Sequence, residues 1–153
     1  MDIHNYKRRL ERTIERINQS SISQENKDTI MKFHDSCFTE GLSICKIERY
    51  LYDAHKLAEM FIKDLTKATK EDLQKIVVKI EKKEWSPHTK HSFKIMMRKL
   101  YRCIDEIYEK GVYPERVRWL HSNVKNNHQK LPEELLTEDE IKQMINYSEN
   151  ARN

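Results

Sequence analysis

Ser43-Ile44-Cys45-Lys46-Ile47-Glu48-Arg49-Tyr50-Leu51-Tyr52-Asp53-Ala54-His55-Lys56-Leu57-Ala58-Glu59-Met60-Phe61-Ile62-Lys63-Asp64-Leu65 is the stretch that decides the fold. Ile44, Ile47, Leu51, Ala54, Ala58, Phe61 and Leu65 recur at alternating steps of three and four, which lays one apolar stripe along a helix. A half-buried strand would alternate every second residue, and this segment does not. Ser43 stands where a hydroxyl can accept one of the orphan N–H groups of a first helical turn. The spacing predicts a third helix over about residues 44–65.

Upstream, Ile3, Tyr6, Leu10, Ile14 and Ile17 repeat at the same period in a helix over about 2–18 that also carries Lys7, Arg8, Arg9, Arg12 and Arg16. Ser20-Ser21-Ile22-Ser23 breaks it. Ser23 then caps a second helix over about 24–40, with Ile30, Phe33, Cys37 and Phe38 as its apolar residues and Gly41 as its stop. Downstream, Thr69-Lys70-Glu71-Asp72 has the form of a capping box and opens a fourth helix over about 70–83. Ser86-Pro87 starts a fifth over about 87–109, striped by Phe93, Met97, Leu100, Ile104 and Ile107 and stopped near Gly111. A short turn is expected around Val117 and Leu120. Residues 123–136 read as a polar, basic linker, and Thr137-Glu138-Asp139-Glu140 launches a last helix that we read as the first of a further, missing domain.

The whole chain of 153 residues holds only 2 Gly and 3 Pro, little material for hairpins, so the expected class is all-α. Charged residues make up 35%, against about 25% in ordinary globular proteins. The net charge is +4, but its distribution says more: residues 86–130 hold ten Lys/Arg against four Asp/Glu, and residues 131–153 hold two against six. An excess of this kind leans toward anionic partners without naming one. No apolar run approaches the roughly 18 residues of a membrane span, so a membrane is not an expected partner and a cytoplasmic location is. Cys37, Cys45 and Cys103 are odd in number, have no paired spacing and lie on or beside apolar faces, which reads as reduced thiols packed in a core.

Taking about 100° per residue, Lys94, Arg98 and Arg102 fall on the side of the fifth helix away from its core stripe, with His91 beside them and His88 near the helix start. Lys46, Arg49 and Lys56 take the same place on the third helix. Two helices turning cations and hydrogen-bond donors outward suit a duplex phosphate backbone. A merely solvated charged face would show the same pattern. His88/His91 and His121/His128 are the only loosely paired histidines, and no HExxH, CxxC, phosphate loop or G-x-S-x-G elbow is present, so no metal site, cofactor or enzymatic centre is expected. Trp85, Trp119 and Tyr101 could stack bases, although packing suits them as well.

Three segments resemble one family. Leu42-Ser43, Tyr50, Asp53 and Leu57-Ala58 through Phe61 resemble the opening helix of the core-binding domain of tyrosine recombinases, although Lys46 stands where that family usually has Thr. Ser86-Pro87-His88-Thr89 with Met97-Arg98 and Leu100-Tyr101 resembles its Ser-Pro-x-Thr helix. Leu131-Pro132 through Leu136-Thr137 to Glu140-Ile141 resembles the hinge that opens its catalytic domain. Tyr6-Lys7-Arg8-Arg9-Leu10-Glu11 and Ile22-Ser23-Gln24-Glu25-Asn26-Lys27 look like the extension of archaeal members.

The resemblance implies a SAM-like core-binding bundle at 42–122, a two-helix extension at 1–41, a linker at 123–136 and a truncated catalytic domain at 137–153. It also implies a clamp on double-stranded recombination-site DNA. Contact roles carried over fall on Lys46, Arg49, His88, Lys90, His91, Lys94 and Arg98, with Lys125 and Lys130 touching phosphates from the linker. Self-association on DNA would come through the parent recombinase. The family's catalytic arginines, lysine, His-x-x-Arg and tyrosine nucleophile all lie beyond its hinge, so the implied fragment binds without cutting. The alternative reading is a helical protein-interaction adaptor whose basic face is solvated.

Overall fold

The structure, a computed structural model, describes residues 5–121 and 136–150, with side chains to 147. Of the linker over 123–136, residues 123–135, with Lys125 and Lys130, lie outside the described residues. Those residues are all-helical: α1 (Tyr6–Gln19), α2 (Gln24–Thr39), α3 (Ile44–Met60), a 3-10 turn at Leu65–Lys67, α4 (Lys70–Glu81), α5 (Pro87–Ile104), α6 (Glu115–Arg118) and α7 (Glu138–Asn150).

The starts follow the caps. Ser23 Oγ accepts from the Asn26 N–H at 3.2 Å, Ser43 Oγ from Lys46 at 3.4 Å, and Ser86 Oγ from Thr89 at 3.2 Å. The Thr69–Asp72 box closes in both directions. Each such cap contributes about 1 kcal/mol. Asp72 also meets Lys63 at 2.6 Å, and this pairing with the cap bonds holds its carboxyl at about 2.

α3 is the central rod. It lies against α1, α2 and α5, and α4 leans on α5 and α6. Phe33 of α2 stacks on Tyr50 of α3 with centroids 6.1 Å apart, and Ile47, Leu51, Leu57, Phe93, Met97, Leu100 and Tyr101 are fully or almost fully buried beside them. Leu10 and Ile17 of α1 and Ile30 and Cys37 of α2 belong to the same buried cluster, so the first two helices share the core of the rest. Each large apolar side chain so buried contributes about 1.5–3 kcal/mol.

Two helices end earlier than their apolar stripes suggest. α3 stops at Met60, with Phe61 already extended at φ −97 and ψ 145. In a continuing helix the Leu65 N–H would bond to the carbonyl of Phe61. Instead it donates to Oδ1 of the buried Asn26 at 2.8 Å, and Leu65 still reaches the core through the 3-10 turn. α5 stops at Ile104 because Glu106 turns left-handed at φ 53. The Ile107 N–H then reaches back to the Arg102 carbonyl at 3.0 Å and the Glu106 N–H to Cys103 at 3.3 Å, the paired bonds of a Schellman ending. Gly41, at φ 72, ends α2 the same way, with Leu42 N–H on the Cys37 carbonyl at 3.2 Å. α1 begins at Tyr6, later than its periodicity suggests, because Asn5 sits at φ 55.

Asn26 therefore carries a checkable load. Asn26→Ala leaves a buried N–H without a partner and is expected to lower stability by about 1–3 kcal/mol in urea unfolding. A change below about 0.5 kcal/mol would show that the α3 ending does not depend on this bond.

Candidate nucleic-acid interface

Because α3 is enclosed by three helices, only a narrow strip of it meets solvent. Arg49 and Cys45 are exposed on that strip, and Tyr52 and Lys56 are partly so. Cys45 was expected in the core, but it falls on the side of α3 turned away from the Ile47–Leu51–Ala54 stripe. Arg49 donates from Nε to Asp53 Oδ2 at 3.0 Å, and the Asp53 side chain is 3% exposed. Burial pushes the Asp53 carboxyl above its usual range, against the pull of Arg49 and then Lys56. Lys56 Nζ lies 4.5 Å from the Tyr52 ring and 5.4 Å from the Trp85 ring, and Lys83 Nζ lies 4.9 Å from the same Trp85. Trp85 itself leans on buried Phe93 at 5.6 Å. An aromatic pair thus gathers cations from α3 and from the end of α4. Lys46, exposed near the start of α3, sits 5.7 Å from the Tyr50 ring.

The fifth helix behaves otherwise. Lys90 donates to the Glu81 carbonyl at 2.8 Å and Lys94 pairs with the Glu81 carboxylate, with side chains 20% and 16% exposed. The Lys94 bond is the chief reason that the Glu81 carboxyl is held below its ordinary range. The Arg98 guanidinium lies 3.8 Å over the Tyr113 ring, and its Nε is buried without a hydrogen-bond partner. Arg102 also reaches Tyr113, at 5.2 Å, and donates to the carbonyls of Ile107 at 3.3 Å and Glu109 at 3.0 Å. The flank that a helical projection turns to solvent is therefore covered by the last turn of α4 and the loop before α6. These cations clasp the protein's own backbone and acid. His88 is exposed at the start of α5, and His91 is half-buried.

The strongest outward row of cations lies on α1. Its segment carries Lys7, Arg8, Arg9, Arg12 and Arg16 against Glu11 and Glu15. Arg8, Arg12 and Arg16 sit four residues apart, are exposed, and make no ion pair among the described residues. Arg9 is tied to the buried Glu48 of α3 at 3.3 Å, and the Thr13 hydroxyl donates to the same carboxylate at 3.3 Å. That tie fixes α1 alongside α3. Arg12 and Arg16 then line a cavity with His55 and Glu59, one turn from Tyr52 and Lys56. Arg12 and Arg16 of α1 and His55 and Glu59 of α3 thus border one seam. Sequence reasoning noted these arginines but gave them no role. Their spacing at 8, 12 and 16 was the available signal, and Glu48 as an internal partner for Arg9 was not visible.

Burial pushes the Cys37 thiol up to about 12 and raises Cys103 as well, which leaves neither suited to act as a thiolate. Among the described residues no three His, Cys, Asp or Glu side chains gather as a metal-holding group, and no helix is long and apolar enough to cross a membrane. No family model, curated protein or solved structure matches the chain.

Proposed function

We propose that this chain binds duplex DNA through the face shared by α1 and α3, and that it serves as the gripping, non-cutting part of a tyrosine recombinase with a SAM-like core-binding bundle. The observation that carries the reading is the row Arg8, Arg12 and Arg16, exposed and without an ion pair among the described residues, on the helix that packs along α3 with its Arg49 and Lys56. Like charges four apart on a helix cost about 0.2–0.5 kcal/mol per pair. A polyanion reverses that cost, because each phosphate neutralised releases condensed counterions. The Tyr52–Trp85 cluster and Lys83 extend the same face. Double-stranded DNA is the partner in this reading, with a cytoplasmic location and with self-association arising only through a longer parent protein on DNA.

A second reading, a helical adaptor with solvated charge, draws support from the engagement of Lys90 and Lys94 by Glu81. Fluorescence anisotropy with a labelled duplex separates the two. Arg12→Gln is expected to weaken binding and reduce the salt slope by about 1, whereas Lys94→Gln leaves both unchanged. The reverse order moves the interface to α5, and no binding by the parent chain at low salt leaves the adaptor.

A further inference from the structure

His55 carries a buried ring nitrogen and lines a surface cavity between α3 and α1. It projects from α3 toward α1 with 7% of its side chain exposed, and its Nε2 has no hydrogen-bond partner. Glu59 Oε1 stands 3.6 Å away, beyond hydrogen-bond reach. The cavity, about 420 Å³, is lined by His55 together with Arg12, Arg16, Gln19, Glu15 and Glu59. A buried polar atom without a partner is costly, and the two guanidinium groups of Arg12 and Arg16 share the lining of its cavity with Glu15 and Glu59.

We propose that this seam is an oxyanion seat, in which His55 Nε2–H, Arg12 and Arg16 converge on phosphate oxygens. The inference rests on the duplex-binding reading where the phosphate belongs to a DNA backbone, and stands without it where the phosphate is free. Guanidinium groups and an imidazole N–H are all donors, and a phosphate oxygen accepts several at once. The Glu59 side chain is 55% exposed and can turn out into water as the anion enters. Burial, with Arg16 adding to it, holds the His55 ring below its usual range against the opposing pull of Glu59. The groups facing the ring are Glu59 on its own helix and Arg12, Glu15 and Arg16 on α1. A bound phosphate anion raises the ring's affinity for a proton, so a backbone phosphodiester, whose charge does not change there, binds more tightly as pH falls through that range.

The test is proton NMR of the imidazole resonances, with His55 assigned through His55→Gln, during titration by inorganic phosphate and by duplex DNA at matched ionic strength. The expected result is a saturable shift of the His55 signal and a rise in its titration midpoint. Arg16→Gln should weaken the effect about tenfold. Glu59→Gln should tighten it, a gain that a purely structural His55–Glu59 contact would not give. A shift with phosphate assigns the seat to free phosphate groups, and a shift with DNA alone assigns it to the backbone. DNA binding by anisotropy without any His55 shift sinks the seat and leaves the duplex reading, whereas a phosphate shift without DNA binding does the opposite. Silence to both ligands, or looser binding in Glu59→Gln, overturns the proposal.

Discussion

Arg116→Met is expected to lower stability by about 2–4 kcal/mol. Arg116 Nε donates to Asp105 Oδ2 at 2.9 Å, and a second guanidinium nitrogen pairs with the other Asp105 oxygen. The remaining terminal nitrogen donates to the carbonyls of Thr66 at 3.0 Å and Ala68 at 2.8 Å. The plane of the group lies 4.7 Å from the Tyr101 ring, whose hydroxyl in turn donates to the Leu65 carbonyl at 3.2 Å. One side chain of α6 therefore ties the end of α5 to the turn after α3. The Arg116 side chain is 18% exposed and that of Asp105 is 27%, so water compensates little. Methionine keeps the packing volume but strands a carboxylate and two carbonyls. Arg116→Lys should fall between, because an ammonium cannot make the bidentate fork. Urea unfolding of both variants measures the effect, and a loss under about 1 kcal/mol in Arg116→Met would remove this residue from the account.

Replacing Arg8, Arg12 and Arg16 together with glutamine is expected to cut duplex affinity by about two to three orders of magnitude at low salt. The slope of log affinity against log salt should flatten by about 3, one unit per lost phosphate contact. Stability should hold or rise slightly. Glutamine is nearly as good a helix former as arginine, and the like-charge pairs along the row disappear. The core residues of α1, Leu10, Thr13 and Ile17, are untouched. Circular dichroism beside anisotropy keeps the two effects apart. Loss of helicity along with loss of binding would mean that these arginines hold the fold rather than DNA.

The helix starts were legible because a cap is local: Ser23, Ser43, Thr69 and Ser86 each bond to an N–H three residues on, within reach of a sequence window. The ends of α3 and α5 were not. One depends on Asn26, 39 residues away from Leu65, and the other on a non-glycine residue taking the left-handed conformation at Glu106. The surroundings of the α5 cations were hidden in the same manner. A helical projection places Lys94 and Arg98 correctly on their own helix but is blind to Glu81 and Tyr113, which neighbouring segments bring over them. Arg49 is exposed as expected, yet its Nε is committed to Asp53 one turn on. On α1 the same projection serves better, since Arg8, Arg12 and Arg16 are exposed.

Affinity for a short duplex, followed by anisotropy from low to moderate salt, addresses the central claim most directly. Contact by the α1–α3 face with about five phosphates predicts a straight log–log line with a slope near −4 to −5. A slope near zero, or no binding at the lowest salt, would contradict it.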